Sequence, residues 1–84
     1  MSPQDLIDII KRELTSTRTM YNPPEITTET HLYDDLHFDA LDLMCVAVEV
    51  EQAIGADLPG AGLERAQTVA DVLALAGSVE RIAA

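Results

Sequence analysis

The sequence predicts an all-α fold: a small four-helix bundle of three main helices and one short helix, with a long first loop. Three observations carry that prediction. Apolar residues make up 48% of the chain but only three residues are aromatic, which suits helices packed through Leu, Ile, Val and Ala better than strands rich in Tyr, Phe and Trp. Apolar residues recur at helical spacing in three separate segments. Between those segments stand Asn22-Pro23-Pro24 and Pro59-Gly60-Ala61-Gly62, which interrupt helices because proline lacks the N–H and restricts the residue before it. Eighty-four residues support one hydrophobic core, so 1–84 reads as a single domain.

The first helix starts at Ser2-Pro3, where the hydroxyl can cap backbone N–H groups and proline is tolerated in the first turn. Leu6, Ile9, Ile10 and Leu14 follow on one face. Thr15 to Thr19 is poor in helix formers, and the proline pair then forbids helix, so a long loop begins there. From Thr27 to Phe38 the chain reads as an irregular connection pinned to the core by Leu32, Tyr33, Leu36 and Phe38. A loop of that length is usually functional or disordered. Asp39 can cap a second helix from Ala40 to about Ile54, ended by Gly55 in the left-handed position. Leu63 to Ala66 has room for only a short helical turn. Thr68 caps the last helix, with Asp71 three residues on completing a capping box and Val69, Val72, Leu73, Ala76 and Val79 on the buried side. This helix is expected to reach Gly77, with any continuation frayed.

Charge is segregated along the chain. The basic residues are Lys11, Arg12, Arg18, Arg65 and Arg81, and none lies between Arg18 and Arg65. That stretch holds Glu25, Glu29, Asp34, Asp35, Asp39, Asp42, Glu49, Glu51, Asp57 and Glu64, which equals the whole net charge of −10. Such a field repels phosphate backbones and anionic lipid surfaces and attracts a basic protein surface. Nucleic acid and membrane are therefore poor partners. No apolar run reaches bilayer length, and Cys45, the single cysteine, excludes an intrachain disulfide and suits a reducing compartment. The expected location is the cytoplasm.

The second helix carries two apolar faces. Leu43, Val46, Ala47, Val50 and Ile54 form the stripe that a core-facing helix needs. Leu41, Met44, Cys45 and Val48 form another, flanked by Asp39, Asp42, Glu49 and Glu51. Unpaired carboxylates are costly to bury, so the second stripe is expected to be an exposed, acid-rimmed strip of the kind used for docking.

The segment Leu36-His37-Phe38-Asp39-Ala40-Leu41-Asp42-Leu43-Met44 resembles the acyl carrier protein family, which has Asp-Ser-Leu at the start of its second helix. The capped first helix, the long loop, Pro59 after Ile54-Gly55-Ala56-Asp57-Leu58, and the Thr68-Val69-Ala70-Asp71-Val72 helix start extend the resemblance over nearly the whole chain. The family implies a carrier and not a catalyst. Its serine bears 4'-phosphopantetheine, attached by a phosphopantetheinyl transferase, and the thiol of that arm holds acyl groups as thioesters for fatty-acid, polyketide or related biosynthesis. A phosphodiester at the first residue of a helix sits beside unpaired N–H groups and the positive end of the helix dipole. The resemblance further implies a monomer that docks basic surfaces of acyl-processing enzymes through Asp39, Leu41, Asp42, Met44, Val48, Glu49 and Glu51. By position it makes Ala47, Val50, Leu58 and Ala66 walls of an acyl pocket. Leu36-His37-Phe38 lacks the Leu-Gly-Ala that often precedes the motif in housekeeping fatty-acid carriers, a hint of a specialised pathway.

Ala40 departs from the family at its attachment residue. A methyl group cannot be phosphorylated, and Phe38, Asp39, Leu41 and Asp42 offer no hydroxyl in its place, so the arm is expected to be absent. Three readings follow: a serine-to-alanine substitution made to keep a carrier unmodified, a carrier-like docking module that has lost its arm, or an unrelated acidic helical adaptor. Alanine costs little there as a strong helix former. His31, Asp34, Asp35, His37 and Asp39 are close in sequence but meet no metal-ligand spacing and lack the glycine and terminal glutamate of an EF-hand loop, so they read as a solvated acidic loop and no metal is expected. Carboxylates around Cys45 push its thiol pKa up, against a reactive role. No Ser-His-Asp order, glycine-rich phosphate loop or zinc spacing appears, so the sequence gives no support to an enzyme.

Overall fold

Three of the four helices begin with the same reciprocal device. A side-chain oxygen accepts from the backbone N–H three residues on, and the carboxylate there accepts from the backbone N–H of the capping residue. In the computed structural model, which describes residues 1–18 and 25–83, the helices are α1 (Pro3–Arg18), α2 (Ala40–Ile54), α3 (Gly60–Arg65) and α4 (Val69–Ala83). At α1 the Asp5 N–H donates to Ser2 Oγ at 3.2 Å and the Ser2 N–H to Asp5 Oδ2 at 3.4 Å. At α2 the Asp42 N–H donates to Asp39 Oδ1 at 2.8 Å and the Asp39 N–H to Asp42 Oδ2 at 3.0 Å. At α4 the Asp71 N–H donates to Thr68 Oγ1 at 3.2 Å, while Asp71 Oδ2 accepts from Gln67 at 2.8 Å and from Thr68 at 3.1 Å.

The fold is the helical bundle that the sequence predicts, with α1 against α2 and α4, α2 against α4, and α3 against α4. Leu6, Ile10 and Leu14 of α1, Val46 and Val50 of α2 and Val69 and Val72 of α4 are fully buried. Leu32 and Leu36 from the connection join them. Each such side chain is worth roughly 1.5–3 kcal/mol against exposure, so the first connection contributes to the core on the same scale as a helix.

That connection is held by the backbone as well. His31 and Thr68 form an antiparallel bridge. The Leu32 N–H donates to Gln67 O at 2.7 Å, Val69 N–H to Thr30 O at 3.0 Å and Ala70 N–H to Thr28 O at 2.8 Å. Leu32, Leu36 and Phe38 are buried as expected and Tyr33 is half-buried, while Ile26 is a further buried pin that the alternating pattern leaves out. His37 has φ +56°, a left-handed conformation open to histidine at some steric cost. It ends the turn so that Phe38 enters the core and Asp39 reaches the cap.

Helix boundaries differ from expectation at three places. The first helix runs through Arg18, and within it Thr15 Oγ1 donates back to the carbonyls of Lys11 and Arg12 at 3.0 and 3.1 Å, which satisfies its hydroxyl without leaving the helix. Asn22-Pro23-Pro24 lies outside the described residues. The short helix begins at Gly60 instead of Leu63, directly after Pro59, and Gly62 is the reason it packs: a Cβ there would stand 2.7 Å from Leu75 Cδ1 of α4. The last helix passes Gly77 and reaches Ala83. Val79 packs on the core and Glu80 pairs with the amino group of Met1. By contrast Gly55 ends α2 where expected, with φ +71° and its N–H donating to Glu51 O.

Candidate functional site

Asp39 stops the extended backbone (φ −106°, ψ −177°) and hands the chain to α2. Ala40 is therefore the first helical residue, and it is exposed. It lies on a cleft of about 370 Å³ lined by Tyr33 from the connection, Leu43 and Met44 from α2, and Gly60, Leu63 and Glu64 from α3. The cap takes the N–H of Asp42 and the Asp39 carbonyl takes that of Leu43. An α-helix gives the N–H groups of its first turn no intrahelical acceptor, so the entrance to α2 is positively polarised where residue 40 stands.

The two faces of α2 separate as the pattern requires. Leu43, Val46, Ala47 and Val50 are buried, with Ile54 at their edge. On the other side Leu41, Met44 and Val48 are 70%, 59% and 47% exposed, and they are the exposed large hydrophobic residues among those described. Positions i, i+3 and i+7 place them in one strip. A continuous groove of about 450 Å³ follows the strip, lined by Glu13 of α1 and by Met44, Cys45, Val48, Glu49 and Gln52.

The acids around the strip are not equivalent. Asp39 is exposed and Glu49 and Glu51 are half-exposed. Glu51 Oε2 accepts from the Leu58 N–H at 2.7 Å, which ties the turn after Gly55 to α2. Glu49 Oε2 faces Arg12 Nη2 of α1 at 3.7 Å. Asp42 corrects the sequence expectation of a contact residue: it is buried and its carboxylate serves the helix cap, so it shapes the local field but presents little surface to a partner. Glu13, which the sequence reading passed over, is buried beside Cys45. Its spacing of four from Ile9 and three from Ile10 puts it on the apolar face, and that spacing was the available signal.

Cys45 is half-buried. Desolvation first, then the carboxylates of Glu13, Asp42 and Glu49, hold its thiol pKa above the usual value, the direction expected from the sequence and one that opposes thiolate chemistry. Ala47, Val50, Leu58 and Ala66 all lie in the closed core, and none lines the cleft beside Ala40. The histidine-rich acidic loop is spent on local structure. His31 Nδ1 accepts from the N–H groups of Asp34 and Tyr33 at 3.1 and 3.3 Å, and Asp35 Oδ2 accepts from the His31 N–H at 2.7 Å. The same ring nitrogen stands 3.8 Å from Asp34 Oδ2. Among the described residues no three His, Cys, Asp or Glu side chains are grouped to hold a metal ion, and no helix is long and apolar enough to cross a membrane.

The resemblance puts a phosphopantetheine arm on residue 40. The helix entrance suits a phosphate, but the Ala40 methyl group has no oxygen to form the phosphodiester, so the residues present do not fit covalent attachment.

The profile describing phosphopantetheine attachment sites matches residues 4–76. The chain is 36% identical over 73 residues to the acyl carrier protein of Coprothermobacter proteolyticus, covering 87% of this chain and 88% of that one. It is 35% identical over 68 residues to the meromycolate extension acyl carrier protein of Mycobacterium tuberculosis, covering 81% of this chain but 59% of that longer relative. Its fold is similar to the solution structure of the acetyl actinorhodin acyl carrier protein from Streptomyces coelicolor, with a TM-score of 0.80 and 21% identity over 100% of this chain and 95% of the other. Together with the capped α2 entrance and the exposed strip beside it, the match over residues 4–76 shows that the chain belongs to the acyl carrier protein family, whose members carry acyl groups and are not themselves enzymes.

Proposed function

We propose that this chain is a monomeric, cytoplasmic carrier domain spanning 1–84 in a form that cannot be loaded, because Ala40 occupies the position of the family's attachment serine. The observation that carries the reading is the placement of Ala40. It is the first residue of a capped helix, exposed at the mouth of an apolar cleft, with the helix entrance a phosphorylated side chain would use but no hydroxyl. A serine-to-alanine replacement that holds a carrier unmodified accounts for this, since alanine preserves the helix start.

The docking surface in this reading is the strip of Leu41, Met44 and Val48 with Asp39, Glu49 and Glu51 around it. Its partners are basic surfaces of acyl-processing enzymes and of a phosphopantetheinyl transferase. Apolar centre and charged rim divide the work: the first supplies affinity and the second supplies encounter rate and orientation. Ala47, Val50, Leu58 and Ala66 become pocket walls only when the helices part around an acyl chain.

A second reading is favoured by Ala40 itself: an arm-less module that keeps the strip and docks without carrying a group. Intact mass separates the two. The chain as given and Ala40→Ser are each incubated with coenzyme A, magnesium and a broad-specificity phosphopantetheinyl transferase. Gain of one phosphopantetheine by the serine form alone supports the silenced carrier, and gain by neither form favours the docking module.

A further inference from the structure

The docking reading treats the acids of the strip as available to a partner, yet Glu49 already faces a cation of its own chain. Arg12 Nη2 of α1 lies 3.7 Å from Glu49 Oε2. That oxygen has essentially no contact with solvent, although the Glu49 side chain as a whole is 42% exposed. The oxygen that faces Arg12 is thus the sheltered one, and it makes no hydrogen bond. Asp39 and Glu51 are held differently, by the backbone N–H groups of Asp42 and Leu58, and among the described residues no basic side chain forms an ion pair with either.

We propose that Arg12 is an internal competitor for Glu49, weakening the pull of the C-terminal half of the strip so that a basic partner engages the half around Asp39 and Leu41 first. The inference rests on the docking reading of α2. The Arg12 side chain is 70% exposed and is free to swing aside. An exposed Arg–Glu pair is worth little, about as much as a partner's lysine or arginine would gain at the same carboxylate. The two cations therefore exchange instead of one excluding the other. The device costs a few-fold in affinity and adds orientation, because a partner that approaches in reverse meets a half-neutralised end.

The chain as given suits the test, because Ala40 prevents turnover and leaves binding as the only event. Its affinity for a phosphopantetheinyl transferase is measured by titration calorimetry at low salt, with coenzyme A present. Glu49→Gln should weaken binding. Arg12→Gln should tighten it roughly two- to fivefold, Lys11→Gln should change it less despite removing the same charge one residue away, and Arg12→Gln added to Glu49→Gln should have no more effect than Lys11→Gln. Equal tightening by Arg12→Gln and Lys11→Gln, or tightening that persists in full without Glu49, would mean that only net charge acts; the competitor would be overturned and the docking reading would stand. If Glu49→Gln leaves binding unchanged, Glu49 is no part of the docking surface, and both ideas fail at that residue.

Discussion

The entrances to α2 and α4 use one local device for two purposes. Asp39-Ala40-Leu41-Asp42 and Thr68-Val69-Ala70-Asp71 both close a reciprocal cap with an aspartate at the third helical position. At α4 the N–H groups of the first two helical residues go to the carbonyls of Thr30 and Thr28, and Val69 is fully buried. At α2 no loop carbonyl takes the corresponding N–H groups of Ala40 and Leu41 among the described residues, and both side chains are exposed. The cap fixes where a helix begins. What packs on the first turn decides whether that beginning is a structural seam or a site.

The largest expected effect comes from loosening the seam. Leu32→Ala removes a fully buried side chain whose N–H also donates to Gln67 O, and it should cost about 2–5 kcal/mol in denaturant unfolding. Amide exchange at Val69 and Ala70 should quicken with it; slow exchange there in a destabilised protein would break the comparison. Asp39→Ala removes the α2 cap and should cost about 1 kcal/mol, up to about 2. Faster exchange of the Asp42 amide, with the α4 entrance unmoved, is the accompanying signature in nuclear magnetic resonance.

Acid distinguishes the seam further. The N–H groups of Gln67 and then Thr68 hold the Asp71 carboxyl below its usual pKa. A depressed folded-state pKa contributes stability that is complete above the ordinary aspartate value of about 4 and is lost as pH falls through the folded value. Asp71→Asn should therefore destabilise by less than about 1 kcal/mol at neutral pH, since the group is exposed and screened. The gap to the parent should close in acid below about pH 4; a gap that stays constant with pH would assign the loss to something other than ionisation. The smallest effect is at His37, where φ is +56°. His37→Gly should raise stability by a few tenths of a kcal/mol, at most about 1, because relief of left-handed strain is partly offset by the freedom glycine gains when unfolded. A fall in the melting temperature would show that the histidine side chain contributes more than its backbone costs.

Much of this was legible in the sequence because it is local. Asp39 and Gly55 bound α2, Thr68 and Asp71 start α4, and the two apolar stripes of α2 separate into a buried and an exposed face. The role of Asp42 was equally local and was missed, because it was read as one more acid on a rim and not by its spacing of three from Asp39. Gly77 misled in the other direction: a glycine reads as a helix end, but Val79 and Glu80 beyond it find partners and carry the helix on. The stitching of Thr28, Thr30 and Leu32 to the start of α4 joins residues about forty apart and leaves no periodic trace. The pairing of Arg12 with Glu49 is hidden for the same reason.

The close approach of Gly62 to Leu75 has a mechanical meaning. The helix α3 buries no residue of its own, which makes it the element of the bundle least expensive to displace, and its position is set by how near its backbone can lie to α4. Gly60, Leu63 and Glu64 of that helix form one bank of the cleft beside Ala40. Leu75, which does not touch the cleft, thus acts as its spacer: a bulkier or smaller side chain there would widen or narrow the opening at residue 40 without altering a single residue that lines it.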